Sequence, residues 1–208
     1  MGGRHRHNRG MAYSALLPRT LECKPIDLGH IGDQCEALSV SGLFDLALEG
    51  PVILPLKVQR QDTEYWCWAA LSSALGQYYN TEKLQQCEIL CKILNRPYCC
   101  EEKTECAEQY PLASGLDVVR VESCKIDGPP EFARLCEELR NHKPVCARLS
   151  ANGIGHLIAV SGYDAIRKEI MIQDPANGGT SWMSFAAFPE NYWSGAQWTH
   201  TYWTRPKL

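Results

Sequence analysis

Between Glu64 and Tyr79, large apolar side chains return at Trp68, Leu71, Leu75 and Tyr78. That spacing predicts a helix over 64–79, with Asp62 or Thr63 as its cap and Cys67 in its first turn. The segment TEKLQQCEILCKIL (81–94) predicts a second helix, with Leu84, Cys87, Cys91 and Leu94 on one face. A third is predicted within GPPEFARLCEELRNHK (128–143). Its prolines suit a helix start, and Phe132, Leu135, Cys136 and Leu139 fall on one side. The pattern then changes. KPVCARL (143–149), GHLIAVSGYD (155–164) and KEIMIQD (168–174) predict strands, the last two joined by a short turn. The aromatic stretches TSWMSFAAF and AQWTHTYWT are expected to be extended as well, and PVILPLKV (51–58) reads as a strand or an extended lead-in. Helices come first and strands later, with no alternating βαβ units. The order is that of an α+β domain over 51–208. Residues 1–50 are irregular and read as an N-terminal extension.

Composition narrows the field. A chain of 208 residues can bury a core of its own. With a net charge of −3, nothing points to nucleic acid. No apolar run approaches the roughly 18 residues that a membrane span needs. The opening MGGRHRHNRGMAYSALLPRT is basic but lacks an apolar segment of signal-peptide length, and it reads as a disordered tail.

Eleven cysteines change the picture more. Five of them, Cys87, Cys91, Cys99, Cys100 and Cys106, fall within twenty residues. Cys87 and Cys91 stand one helical turn apart, too far for a relaxed disulfide with each other. Pairing with Cys99, Cys100 or Cys106, burial as reduced thiols and zinc binding all stay open, although the spacing lacks paired C-x2-C ligands. Each reading makes the segment structural. Cys124, Cys136 and Cys146 read as core or disulfide positions.

The chemistry gathers around Cys67, set between Trp66 and Trp68. A thiol in the first turn of a helix feels the positive end of the dipole and the free N–H groups, which favour its anion. A cysteine nucleophile also needs a base, a group that orients the base, and donors for the oxyanion. His156 opens an apolar strand, where an imidazole needs a reason to be. Asp174 ends the next strand, just before Pro175. A hairpin of these two strands brings His156 and Asp174 to the same open end. Gln61, six positions before Cys67, could donate its amide to the oxyanion. His142 at a helix end and His200 among aromatics have structural readings, and His30 in the extension is uninformative. The site calls for no cofactor and no metal.

These residues resemble the papain-like cysteine proteases. In that pattern a glutamine precedes a helix-starting cysteine by six residues, a tryptophan follows the cysteine, a distant histidine opens a strand, and Asn or Asp ends the next. The match is Gln61, Cys67-Trp68-Ala69-Ala70, Gly155-His156 and Asp174-Pro175. More narrowly, WCWAA, the CC pair, PVCAR, GHxxxxxGY, DP and WTHTYW resemble a compact bacterial group that includes plant-pathogen effector proteases. The resemblance spans about residues 51–206. It implies a helical half carrying the nucleophile and an antiparallel sheet carrying His and Asp. It also implies Cys67 as nucleophile, His156 as general base and then acid, Asp174 as orienting group and Gln61 as oxyanion donor. Aspartate stands where papains usually carry asparagine. The implied function is a cysteine endopeptidase acting on protein or peptide substrates, as a bacterial effector or antibacterial toxin delivered by a specialised secretion system. A Gly-Gly preference and a cognate immunity or inhibitor protein are consistent with it; nucleic acid and membrane partners are not expected. The same site would also serve a glutamine deamidase or transglutaminase, and a cysteine-rich binding module is the non-catalytic alternative.

Overall fold

The structure, a computed structural model, describes residues 50–207. The extension expected over 1–50 therefore lies almost wholly outside the described residues.

An antiparallel sheet forms one half of the molecule. Its strands are β1 (Val52–Ile53), β2 (Val121–Asp127), β3 (Val145–Ala151), β4 (Ile154–Asp164), β5 (Glu169–Asp174), β6 (Gly179–Ser184) and β7 (Gln197–Pro206). The spatial order is β2-β7-β3-β4-β5-β6, with the short β1 added beside β4. The helices are α1 (Cys67–Tyr78), α2 (Gln86–Leu94), α3 (Leu112–Val118) and α4 (Phe132–Arg140), with a 3-10 turn at Lys103–Cys106. Two apolar cores flank the sheet. One joins α1, α2 and α3 to Cys146, Leu157, Ala159 and Tyr202. The other joins Leu135 and Leu139 of α4 to Val145, Ala147, Ile158 and Ile172, and to Phe188 and Trp198. This is an α+β, papain-like arrangement with a helical half and a sheet half.

The helices begin later than the apolar spacing suggests. α1 starts at Cys67 itself, and neither Asp62 nor Thr63 caps it. The chain before it is claimed by other partners. The Gln61 N–H donates to the Pro175 carbonyl (2.7 Å), the Asp62 N–H to the Gln86 side chain (3.1 Å), and the Gln86 amide to the Arg60 carbonyl (2.9 Å). Tyr65 takes a positive φ of 67°, which separates this segment from the helix. α2 starts at Gln86 rather than near Thr81 because Gln85 and Glu88 close a reciprocal cap there. The Thr81 hydroxyl instead bonds the Val119 carbonyl (2.6 Å). α4 is shorter at both ends than the 128–143 segment.

The three central strands lie where their pattern places them, within two residues. The lead-in forms a strand only at Val52–Ile53. Beyond it the chain stays extended, burying Leu54, Leu56 and Val58. Buried Gln173 holds it there, accepting from the Val58 N–H (2.8 Å) and donating to the Leu56 carbonyl (2.8 Å). The cysteine-rich stretch forms two disulfides, Cys87–Cys100 and Cys99–Cys106. Cys67, Cys91, Cys136 and Cys146 are free thiols. Among the described residues no cluster of metal-binding side chains gathers.

Candidate active site

Cys67 is the first residue of α1, buried at the base of a cleft of about 680 Å³ between the two halves. All ten residues from Cys67 to Gly76 are buried, so the helix is held on every side. The flanking tryptophans fix its start. The Trp66 indole donates to the Cys106 carbonyl (3.0 Å) and the Trp68 indole to the Glu108 carbonyl (3.1 Å). Each ring is at most 1 % exposed. The disulfide-bonded segment therefore grips the residues on both sides of the thiol. As the first residue of the helix, Cys67 has no carbonyl one turn earlier in that helix to accept from its N–H.

β3, β4 and β5 bring the other groups to this cleft. His156, near the start of β4, and Asp174, at the end of β5, meet with Nε2 and Oδ1 2.6 Å apart. The second ring nitrogen, Nδ1, is then the one left for the Cys67 thiol, whose interaction with the imidazole helps raise the His156 pKa. Asp174 is further held by the Ala176 N–H on Oδ1 (2.7 Å) and by the Tyr192 hydroxyl on Oδ2. Gln61 lines the same cleft, tied by its own N–H to the carbonyl that follows Asp174. Its side-chain amide donates to the Thr63 carbonyl (2.9 Å), and its Oε1 is buried without a partner. All four residues singled out in the sequence thus line one cleft.

The charges are mutually supporting. Burial alone would lower the pKa of His156. The hydrogen bond to Asp174, the interaction with Cys67 and the Asp174 charge outweigh burial and lift it to about 9. Burial would raise Asp174, but bonds from His156 and Tyr192 and the imidazolium charge hold it below the ordinary carboxylate value. Burial, then the Asp174 carboxylate, raises Tyr192, which stays a donor. By contrast, burial pushes the thiols of Cys136 and Cys146 up to about 12.

Tyr192 has no distinguishing sequence signal. It lies in NYWSG, in the connection between β6 and β7, and only the fold brings it onto Asp174. His142 and His200 do not line the cleft. His142 follows α4 with φ at 58°, and His200 lies beside Asp127 (3.6 Å) and Thr199 (2.9 Å).

A family model for the papain-like cysteine protease AvrRpt2 matches residues 50–193. The chain belongs to that family. Its members being papain-like cysteine proteases, this protein is one too, with protein or peptide as its substrate class. Among curated proteins, none matches the sequence. Two solved structures are similar. One is a double glycine motif protease from an AMS/PCAT transporter, crystallised with the leader peptide (14 % identity over 76 % of this chain and 99 % of that one, TM-score 0.48). The other is the Pseudomonas avirulence protein AvrPphB (14 % identity over 67 % and 90 %, TM-score 0.35). No helix among the described residues is long and apolar enough to cross a membrane.

Proposed function

We propose that this protease hydrolyses peptide bonds through a Cys67–His156–Asp174 triad with Gln61 as an oxyanion donor. The observation that supports this most is the imidazole held between the Cys67 thiol and the Asp174 carboxylate at the base of the cleft. His156 takes the thiol proton, and the Cys67 sulfur adds to the substrate carbonyl carbon. The carbonyl oxygen becomes an anion, met by the Cys67 N–H and the Gln61 amide. His156 then gives its proton to the leaving nitrogen as the C–N bond breaks, leaving a thioester on Cys67. Water attacks the thioester with His156 again accepting a proton, and the thiolate departs with the acid product. Asp174 stays ionised throughout and keeps Nδ1 aimed at sulfur. Gln61 must loosen its present bond to Thr63 or use its second N–H for the oxyanion.

The biological reading follows the family resemblance. The protein acts as a bacterial effector or antibacterial toxin delivered into another cell, with residues 1–50 as leader, pro-segment or delivery linker. A producing cell exposed to its own toxin would need an inhibitor protein. The experiment is a proteome incubated with wild type and with Cys67→Ala, read for new N-termini and for changed side-chain masses. Cys67-dependent new N-termini support proteolysis, and the aligned sites show whether paired glycines are preferred. Amide-to-acid changes on intact chains would instead point to a deamidase. Binding or toxicity surviving Cys67→Ala would point to a non-catalytic module.

A further inference from the structure

A cationic side chain in the cleft takes no part in this chemistry. Arg148 of β3 lines the same cleft as Cys67 and His156. Its Nη1 donates to the Thr199 hydroxyl (3.1 Å), and that hydroxyl donates back to the Arg148 carbonyl (3.1 Å). The guanidinium is therefore aimed by the sheet. Its other edge lies over Gly155, the residue immediately before His156. A Cβ built on Gly155 would stand 2.5 Å from Nη2 and 3.0 Å from Cζ. Glycine is what lets a guanidinium reach this close to the catalytic histidine.

Yet among the described residues no carboxylate pairs with Arg148. The cleft holds two acids. Asp174 is engaged by His156, Ala176 and Tyr192. Glu64 lies on the helical wall and has no ion-pair partner among the described residues. The neighbouring His200 feels Arg148 as a positive charge. Burial, then the charges of Lys125 and Arg148, lowers the His200 pKa against the pull of Asp127. Ile154, Leu157 and Tyr110 supply apolar and aromatic surface to the same cleft. An oriented, half-buried guanidinium with free N–H donors is a receptor for a planar anion.

We propose that Arg148 is a specificity determinant that selects an acidic side chain, Asp or Glu, of the substrate close to the scissile bond. An extended peptide advances about 3.3 Å per residue, and the guanidinium covers the residue next to His156. The acidic residue is therefore within one or two positions of the cleaved bond. Apolar contacts take the side-chain stem and the guanidinium takes the carboxylate. This inference rests on the protease reading above.

The test uses a proteome-derived peptide library with free and amidated C-termini, digested by wild type, Arg148→Gln, Arg148→Lys and Arg148→Glu, with cleavage sites read by mass spectrometry. Matched peptides carrying Glu or Gln at the enriched position then give a ratio of kcat/KM within each variant, which does not depend on the folded fraction. Wild type is expected to favour Glu by about tenfold, equivalent to about 1.4 kcal/mol. The preference falls toward unity in Arg148→Gln, is partly kept in Arg148→Lys, and turns toward Lys in Arg148→Glu. It weakens with added salt. No acidic enrichment in wild type, or the same enrichment in Arg148→Gln, overturns the proposal. A preference confined to free C-termini overturns it in favour of terminal-carboxylate capture. Alkylation of Cys67 by iodoacetamide runs alongside. If Cys67 shows fast, His156-dependent alkylation but the library is not cut, the acidic-subsite proposal fails alone. If that alkylation is missing too, the protease reading fails with it.

Discussion

Replacing Asp174 with asparagine removes one charge and almost no volume. The amide carbonyl can still accept from His156 Nε2, and the Tyr192 hydroxyl can turn to accept from the new NH2 group. The His156 pKa moves from 6.5 to about 9 in the fold, which corresponds to roughly 3 kcal/mol of preference for the imidazolium. Two partners supply it, with the Asp174 hydrogen bond leading those that raise the pKa. Losing Asp174 should therefore remove about half of that preference or more, and the His156 pKa should fall by at least about one unit. The sign follows directly. His156 is a protonated acid toward the leaving nitrogen, so activity falls as pH rises through its pKa. Wild-type kcat/KM should decline around pH 9. The decline in Asp174→Asn should begin at least about one unit lower, with kcat reduced by about 10- to 100-fold through weaker positioning. Stability follows the same linkage. The raised His156 contributes fully below its unfolded value near 6.5 and loses that contribution as pH rises through about 9. Asp174 contributes above its unfolded value of 3.8 and loses it as pH falls through its lower folded value. Peptide hydrolysis against pH, paired with an NMR titration of the His156 ring, measures both. An alkaline limit that stays near pH 9 in Asp174→Asn would refute the assignment of Asp174 as the charge that supports the imidazolium.

Tyr192→Phe removes a donor from Asp174 Oδ2 and should lower kcat/KM by about 10- to 150-fold, the equivalent of the roughly 1.5–3 kcal/mol of a hydrogen bond to a charged group. It should also narrow the difference in stability between neutral and acid pH, which a merely structural tyrosine would not do. Gly115→Ala should destabilise by about 1–3 kcal/mol, read from the urea midpoint, because the new methyl meets Ser72 and, at 2.9 Å, the Trp68 ring. Replacing Cys99 and Cys106 together with alanine should cost about 2 kcal/mol by loop-closure entropy. Activity should fall further than stability requires, since the Cys106 carbonyl holds Trp66 beside Cys67. Activity equal to wild type in the folded variant would show that this grip is dispensable.

The strands and the meeting of the candidate site residues in one cleft are the most legible parts of the sequence. β3, β4 and β5 are buried apolar runs bounded by Pro144, Asn152-Gly153 and Asp174-Pro175, so their pattern marks them out. Cys67, His156 and Asp174 were readable because each is a polar group where a buried element needs a reason for one. α3 and β2 escaped. LASGLDV is short and carries Gly115, which reads as a breaker in sequence but in the fold lets α3 approach Trp68 and Ser72. VESCKID is a strand because β7 pairs with it along its whole length, a fact with no local signature. The helix starts were misplaced for a related reason. Segments 61–66 and 81–85 bond to distant residues, Pro175, Gln86 and Val119, and those bonds override local spacing. Tyr192 and Arg148 were not legible at all, because their roles come from what the folded chain sets beside them.

A thiolate–imidazolium pair at Cys67 and His156 underlies every step of the proposed hydrolysis. The decisive experiment is the rate of iodoacetamide labelling at Cys67, mapped by peptide mass spectrometry, in wild type and His156→Ala. Cys136 and Cys146, pushed up to about 12 by burial, serve as internal references in the same molecule. The expectation is fast labelling of Cys67 at about pH 6, well below the roughly 8.5 of a free thiol, and its loss in His156→Ala. Equal, slow labelling in the two proteins would contradict the ion pair and, with it, Cys67 as the nucleophile.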